Sequence, residues 1–316
     1  MSARRTGASW VVVSAIAYSL FAVFTKRALG EGLTPSDLLV YRFGIAVPVI
    51  WAVAILRRRR GGPRLDRAPV VHMFLLGVVF GVVAWLGFSA LAHLPAALYT
   101  VIIYTYPAMV AVAAALLGQP SPRRLWAALA LTIVGIGFTT VPVALATSGN
   151  IETIGVVLTV LNAIAYAVYV VISGRVLAHD RSPALRHDGV VSAAWSLTGS
   201  LAFAVVIGAV RCVHAPHSVG SGFGLVGLAV ISTVVAGMAM LIGVASLGPA
   251  TTATIATLEP VLTLVWAVTI LDESLRPVQI AGAVLVIAGV TWAQRMAAGG
   301  LQPTVELPLA TPSLAT

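Results

Sequence analysis

The sequence reads SAIAYSLFAVFTKRAL from Ser14 to Leu29 and later reads NAIAYAVYVVISGRVL from Asn162 to Leu177. The two stretches share Ala-Ile-Ala-Tyr and then an arginine, at Arg27 in the first and Arg175 in the second. Apolar segments can match by chance because few residue types occur in them. A second, independent match is therefore needed before a repeat is inferred.

The second match joins ALAHLPAALYTVIIYTYPAMV (Ala90–Val110) to GVASLGPATTATIATLEPVLT (Gly243–Thr263) and sets Pro107 on Pro260. Two matches in the same order indicate that the chain is duplicated. We expect one repeat at residues 1–148, a second at 149–296, and a disordered cytoplasmic tail at 297–316, which is short and rich in proline and glycine.

The composition indicates an integral membrane protein. Hydrophobic residues make up 59% of the 316 positions and charged residues only 9%, far below the roughly 25% charged residues of a soluble domain. A bilayer core needs about 20 apolar residues per helix, and apolar runs of that length recur along the chain. The polar and apolar alternation of a membrane β-barrel is missing from the sequence.

We therefore predict an all-α membrane protein with ten transmembrane helices. Their expected bounds are Ala8–Leu29, Pro35–Leu56, Val70–Leu91, Ala96–Leu117, Arg123–Val143, Thr153–Arg175, Val190–Val210, Phe223–Leu247, Thr251–Leu271 and Arg276–Arg295. Five helices per repeat is an odd number, so the second repeat enters the membrane in the opposite sense. Such inverted repeats are typical of transporters that alternate access to a site near the midplane.

The formal net charge of +9 is explained by topology rather than by nucleic acid. Arginines cluster in the loops after the second, fourth and sixth helices, which all fall on one side, whereas the opposite loops are mostly acidic. By the positive-inside rule the arginine-rich side is cytoplasmic, which places both termini there and leaves membrane lipids as a secondary partner. Abundant Arg, Ala, Val and Gly suggest a bacterium, and hence its cytoplasmic (inner) membrane.

Several classes of chemistry lack support in the sequence. Cys212 is the single cysteine and the six histidines are scattered, so neither a metal site nor a cofactor is expected. No glycine-rich phosphate loop and no Ser/His/Asp set is visible. An enzyme or an ATP-driven pump is therefore not expected, and transport would draw its energy from gradients.

Glu259 is the strongest candidate for a binding site. It lies roughly 13 Å from the cytoplasmic end of the ninth helix, and a charge at that depth costs about 3 kcal/mol. Pro260 follows it, and Pro107 occupies the matching place in the fourth helix, after Tyr104 and Tyr106. Prolines there free backbone groups at midplane, which points to a transporter site. The alternative is that Glu259 only pairs with another helix and that the prolines only bend helices.

Polar groups on other helices complete the candidate site. Arg42 either binds the solute or pairs with Glu259, and Lys26 is the next candidate partner unless it snorkels to the interface. Further candidates for cavity-lining residues are the matched tyrosines Tyr18 and Tyr166, together with Asn162 and Trp85. Each of these has a structural alternative in packing or, for the aromatic residues, in anchoring at the membrane interface.

The stretch LEPVLTLVWAVTILDESLRPVQIAGAVLVIAGV (Leu258–Val290) resembles the closing half of the EamA domain of the drug/metabolite transporter superfamily. The matching features are Glu259-Pro260, Glu273 and the glycines of the last helix. The resemblance implies a secondary carrier with a central cavity between its halves, usually an exporter of amino acids, related metabolites or drugs. The first repeat departs from the pattern with Tyr106 and Gln119-Pro120, which argues against a symmetric pair of carboxylates.

The leading hypothesis is gradient-driven efflux of a small polar metabolite, most simply an amino acid or a derivative. Multidrug or nucleoside export is the alternative within transport. A lipid-carrier flippase or a polytopic lipid-modifying enzyme is the alternative from another class. Gly77 and Gly81 form a GxxxG spacing that suits packing within the chain as well as a homodimer, so the oligomeric state stays open.

Overall fold

The computed structural model describes residues 2–59, 70–106, 109–110, 123–146, 150–179, 189–216, 218–247, 252, 255–256 and 258–300. The regular secondary structure of these residues is entirely helical. Its elements are α1 Ser2–Ser19, α2 Phe21–Gly30, α3 Pro35–Arg59, α4 Val70–His93, α5 Ala96–Ile103, α6 Arg123–Ala146, α7 Asn150–His179, α8 Gly189–Val210, α9 Val219–Val226, a π-helix at Gly227–Val235, α10 Ala236–Leu247, α11 Leu258–Ile270 and α12 Pro277–Gly300.

Six helical segments of the described residues are long and apolar enough to cross a membrane. They are Thr6–Gly30, Pro35–Arg59, Val70–His93, Thr153–Ser173, Val190–Val210 and Val219–Gly243. Shorter apolar helices occur at Leu258–Ile270 and Pro277–Gly289. Large apolar side chains such as Val71, Val205 and Phe223 are exposed on the outside, as expected for a surface that faces lipid. These features define a multi-pass helical membrane protein.

The first predicted helix is broken without a proline. It divides into α1 and α2 at Leu20, and side chains of α11 contact the backbone and side chain of Ser19 at the break. The Trp266 indole donates to Ser19 Oγ over 2.9 Å, and the Thr263 hydroxyl donates to the Ser19 carbonyl over 3.4 Å. Polar groups freed by the break are thus bonded by a helix of the other repeat.

The fourth predicted helix is interrupted. Helix α5 ends at Ile103, Tyr104 and Thr105 form a turn, and Tyr106, Met109 and Val110 are again helical. Pro107 itself, with residues 108 and 111–122, lies outside the described residues. In the second repeat α11 begins at Leu258, so the buried Pro260 lies in its first turn.

A π-helix interrupts the eighth predicted helix. Over Gly227–Val235 the backbone winds more widely than an α-helix, and the Thr233 hydroxyl donates to the carbonyl of Leu228, five residues earlier, over 2.9 Å. Such segments are frequent at functional sites. Here the segment presents the Thr233 hydroxyl to α3.

Helices of one repeat pack against helices of the other. Helix α4 packs on α7 and α8, α3 packs on α8, α6 packs on α12, and α1 packs on α10 and α11. The GxxxG glycines serve these contacts, since a Cβ on Gly77 would overlap the Ser196 backbone and one on Gly81 would press on Phe203 of α8. The Ser200 hydroxyl also donates to the Gly77 carbonyl over 2.7 Å. This GxxxG pair therefore packs within the chain.

Candidate functional site

A cavity of about 170 Å³ lies between helices of both repeats. Side chains from α1, α3, α7 and α11, together with the segment that follows α5, bring most of the sequence-predicted site residues to its wall. Those residues are Tyr18, Arg42, Tyr104, Tyr106, Asn162, Tyr166 and Glu259. Whether they bind a solute stays a prediction, but the structure brings them together around one space.

Arg42 is buried beside the cavity with only 5% of its surface exposed. Its Nε donates to the Thr233 hydroxyl of the π-helix over 2.9 Å. The guanidinium carbon lies 5.0 to 5.9 Å from the centres of four phenylalanine rings, those of Phe21, Phe43, Phe80 and Phe88. Cation–π contacts of this kind stabilise a partly desolvated arginine by about 0.5–2 kcal/mol.

The terminal N–H groups of Arg42, unlike Nε, have no hydrogen-bond partner among the described residues. An arginine presents its donors as a planar fork that matches a carboxylate. Within the described part of the chain no carboxylate lies within the 4.0 Å of a salt bridge to Arg42. A buried cation without an anion is costly, so the site is electrostatically suited to an anionic group of a ligand.

Glu259 lines the same cavity from the first turn of α11. The Tyr104 hydroxyl lies beside its carboxyl group. The pairing of Glu259 with Arg42 that the sequence left open is absent, because no salt bridge joins the two residues in the described part of the chain. Lys26 does not line the cavity either, and its electrostatic partner is Glu273. A cationic side chain and a carboxyl group therefore line one space without a direct ion pair between them.

Asn162 adds a polar group from α7. Its side-chain amide donates to the Tyr99 hydroxyl over 3.0 Å. The amide oxygen is buried and has no hydrogen-bond partner within the described residues, and only 2% of the residue is exposed. A buried acceptor without a donor costs about 1–3 kcal/mol, so Asn162 adds an unsatisfied polar group beside the cavity.

Aromatic rings form much of the remaining wall. The ring centres of Tyr106 and Tyr166 lie 4.4 Å apart in an edge-to-face contact, and those of Tyr104 and Tyr106 lie 6.3 Å apart. The series continues from Tyr166 to Tyr169 at 5.9 Å and from Tyr169 to Phe80 at 5.3 Å. Contacts of this geometry restrict ring motion, so the rings give the cavity a defined shape.

Trp85 is a predicted site residue that does not line the cavity. The α4 residues that line it, Phe80, Ala84 and Gly87 among them, follow the i, i+4, i+7 spacing of one helix face. Trp85 projects off that face and packs against the buried cluster around Phe43 and Phe88. Trp85 thus does not line this cavity, and its packing matches the structural alternative that the sequence left open.

Several lining residues were missed from the sequence, notably Phe21, Phe80, Tyr99, Thr100 and Thr263. Two of them could have been predicted from helical spacing, which puts residues four or seven apart on one face of a helix. Tyr99 lies seven residues before Tyr106, and Thr263 lies four residues after Glu259. Thr233 was missed as well, because its position depends on the π-helix. The described residues contain no group of three or more His, Cys, Asp or Glu side chains that could hold a metal ion.

Comparison with known proteins identifies the class of this protein. Residues 5–141 and 153–293 each match the model of the EamA-like transporter family. Since the two matches cover most of the chain, the protein belongs to the EamA-like transporter family. The duplication inferred from the sequence is thereby supported, and so is the resemblance that the Glu259-Pro260 segment indicated.

Two similar proteins bear on the fold and activity. The "Uncharacterized transporter YcbK" of Bacillus subtilis (strain 168) is 25% identical over 281 residues, which span 87% of this chain and 88% of that protein. A solved structure described as "Crystal structure of protein" has a TM-score of 0.63 at 19% identity and covers 94% of this chain and 99% of its own. The family and the relative support membrane transport as the activity, and the solved structure supports the fold.

Proposed function

We propose that the protein is a secondary active transporter that exports amino acids or related small metabolites by alternating access. One observation carries the proposal: a buried arginine and a carboxyl group line one cavity without pairing with each other. An α-amino acid has a carboxylate and an ammonium group on the same carbon. It therefore offers one ionic partner to Arg42 and one to Glu259.

The hydrogen-bonding groups of the cavity favour such a solute. The fork of Arg42 suits two parallel hydrogen bonds to a carboxylate, and Glu259 is an acceptor for the ammonium group. The amide oxygen of Asn162 is a further polar group beside the cavity, buried and without a hydrogen-bond partner among the described residues. A nucleoside lacks the carboxylate that the arginine requires, and a cationic drug would leave Arg42 unpaired.

The size of the cavity also favours a small solute. Its volume of about 170 Å³ is below the roughly 300 Å³ at which pockets for drug-sized molecules begin. A metabolite with few heavy atoms fits such a space, whereas a large drug does not. This argues for amino acids over the multidrug alternative.

The packing of the helices supports an alternating-access mechanism with ten helices as two inverted five-helix repeats. The first and sixth, third and eighth, and fourth and ninth predicted helices are equivalent positions of the two repeats. The first helix packs on the eighth, and its equivalent, the sixth, packs on the third. In the same way the first helix packs on the ninth, and the sixth packs on the fourth. This exchange of partners is the pattern expected of a pseudo-two-fold axis in the membrane plane. The arginine-rich loops favour cytoplasmic termini by the positive-inside rule, in keeping with the proposed bacterial inner membrane.

The experiment is uptake of radiolabelled solutes into proteoliposomes, with and without an imposed pH gradient. The panel contains amino acids, nucleosides and cationic drugs, and for each transported amino acid its amide and its N-acetyl derivative. We expect uptake of an amino acid and loss of uptake for both derivatives, because each lacks one charge. Uptake of nucleosides or drugs in place of amino acids refutes the substrate class, and no uptake of any solute shifts the proposal to a lipid substrate.

Variants test the site itself. Arg42→Gln and Glu259→Gln each remove one charge from the cavity, and we expect each to abolish most of the uptake at normal protein level. Arg58→Gln is the matched control, since Arg58 lies exposed on the same helix as Arg42. Full uptake by both cavity variants would show that the site assignment is wrong.

A further inference from the structure

Three carboxylates connect the two repeats on one face of the protein. This face, called the Glu273 face below, carries the segments at residues 31–37, 94–97, 211–216 and 271–276 together with Ser218. Glu31 accepts a hydrogen bond from the Ser218 hydroxyl over 2.7 Å. Asp37 accepts one from the backbone N–H of His214 over 2.8 Å. The third carboxylate, Glu273, makes two hydrogen bonds to the other repeat, one with each of its oxygens.

Glu273 caps a helix of the other repeat. Its two carboxylate oxygens accept hydrogen bonds from the backbone N–H groups of Ala96 and Ala97, over 2.6 and 2.9 Å. These are the first N–H groups of α5, which no preceding turn can satisfy. The residue before the helix is Pro95, which makes no side-chain cap. The carboxylate also lies at the positive end of the helix dipole.

The backbone holds Glu273 in place for this contact. Asp272 has a left-handed conformation with φ of 54°, which turns the chain as it leaves α11. The N–H of Glu273 then bonds back to the carbonyl of Ala267 over 3.0 Å. The carboxylate is thus fixed to the end of α11, and Lys26 of α2 supplies the nearby positive charge that is coupled to it.

The two helices joined by Glu273 both reach the cavity. Helix α11 carries Glu259 and Thr263, and α5 carries Tyr99 and Thr100. Opening the cavity toward the Glu273 face requires the repeats to separate there, so the contacts between Glu273 and α5 must break in that step. At the matching place the first repeat has Gln119-Pro120 and no carboxylate, so the two repeats differ at this position.

We propose that Glu273 is the latch of a gate on this face: its carboxylate holds α5 against the end of α11 while the cavity is closed there, and releases α5 when the face opens. The proposal rests on the alternating-access function proposed above. Glu273 is a positioning residue, since it acts on the cavity through the two helices and does not line it.

The single native cysteine makes the test direct. Cys212 is exposed and lies in the segment 211–216 of the Glu273 face, so labelling of the wild-type protein by a membrane-impermeant maleimide identifies the side on which this face lies. The reporter is then Ala84→Cys in a Cys212→Ser background, because Ala84 lines the cavity from α4. Labelling rates are measured in right-side-out and in inverted membrane vesicles.

We expect Glu273→Gln to raise the labelling rate from the Glu273 face by about tenfold, which corresponds to about 1.4 kcal/mol in the gate equilibrium. Glutamine keeps one acceptor oxygen but loses the charge and the second acceptor. Glu273→Ala removes both acceptors and should raise the rate further. Labelling from the opposite face should fall in parallel, since a gate that opens more on one side is open less on the other.

Asp272→Asn is the matched control, since Asp272 is the adjacent carboxylate, is exposed, and undergoes the same change of charge. Unchanged labelling in both Glu273 variants overturns the proposal, as does an equal rise in Asp272→Asn. A rise from both faces also overturns it, because that pattern indicates loosened structure and not a gate. The labelling requires no transported solute, so a latch that behaves as expected in a protein without flux would refute the proposed function alone.

Discussion

Arg42→Met separates a binding role from a structural role for the arginine of the cavity. Among the described residues Arg42 makes one hydrogen bond, to Thr233, and no carboxylate pairs with it. Methionine is flexible, fits against the four phenylalanine rings, and interacts well with aromatic groups. The substitution therefore removes the charge while it keeps most of the packing.

The expected change in stability is small. The variant loses a hydrogen bond from a charged donor, about 1.5–3 kcal/mol, and cation–π attraction of about 0.5–2 kcal/mol. In return, the variant avoids the desolvation cost of burying a cation, which is several kcal/mol. These contributions nearly cancel, so the free energy of unfolding should change little or rise. Removing one member of a buried ion pair would instead cost about 3–5 kcal/mol.

The expected change in binding is large. A carboxylate held by the fork of Arg42 would lose two charge-assisted hydrogen bonds, about 3 kcal/mol in all, which weakens binding roughly 100-fold. The KM for the transported amino acid should rise accordingly. Loss of affinity with stability retained is the signature of a group that binds the solute.

The assay compares purified wild-type, Arg42→Met and Arg58→Met proteins in one detergent. Each is heated through the same temperature series, and the fraction that stays monodisperse is read by size-exclusion chromatography, since membrane proteins often unfold irreversibly. Transport is measured on the same preparations. A midpoint lower by roughly 5–10 °C, about 3 kcal/mol, together with an unchanged KM in the surviving protein would refute the binding role and establish the structural one.

Two further substitutions test the framework of the site. Gly77→Ala should destabilise the protein by about 2 kcal/mol or more, because its Cβ would overlap the α8 backbone. Gly137→Ala is the control and should not destabilise it, because Gly137 has open space around it. Thermal midpoints measure the difference, and equal midpoints for the two variants would contradict the close packing. Thr233→Val removes the acceptor for Arg42 and should raise the KM about tenfold, whereas Thr269→Val on the exposed side of α11 should leave it unchanged.

The location of the cavity could be predicted from the sequence for two reasons. The repeat matches equivalent positions of the two halves, and the cost of placing a charge in the membrane makes each buried charge informative. Tyr18 and Tyr166 were found as matched positions of the repeat, and Tyr106 as the counterpart of Glu259. Charges such as Arg42 are rare in apolar helices, so their few occurrences point to protein-lined space. These arguments depend on local residues and on repeat spacing, both of which can be read from the chain.

Other features depend on contacts between distant segments. The break at Leu20 has no proline and is bonded by α11, and the π-helix that presents Thr233 leaves no periodic signal in an apolar helix. Aromatic residues are frequent in membrane spans, so Trp85 and Phe80 differ only in the helix face they occupy. The cap joins Glu273 to Ala96, which lies 177 positions earlier in the chain. No local sequence pattern predicts such a contact.

The measurement that tests the central claim most directly is solute counterflow in proteoliposomes. Vesicles are loaded with an unlabelled amino acid at high concentration, and entry of the labelled form is followed without an ion gradient. A carrier that alternates access through one cavity predicts transient accumulation of label in the wild-type and Arg58→Gln proteins and none in Arg42→Gln. Simple equilibration in all three proteins would contradict the account, because a solute that crosses without the cavity arginine does not use this site.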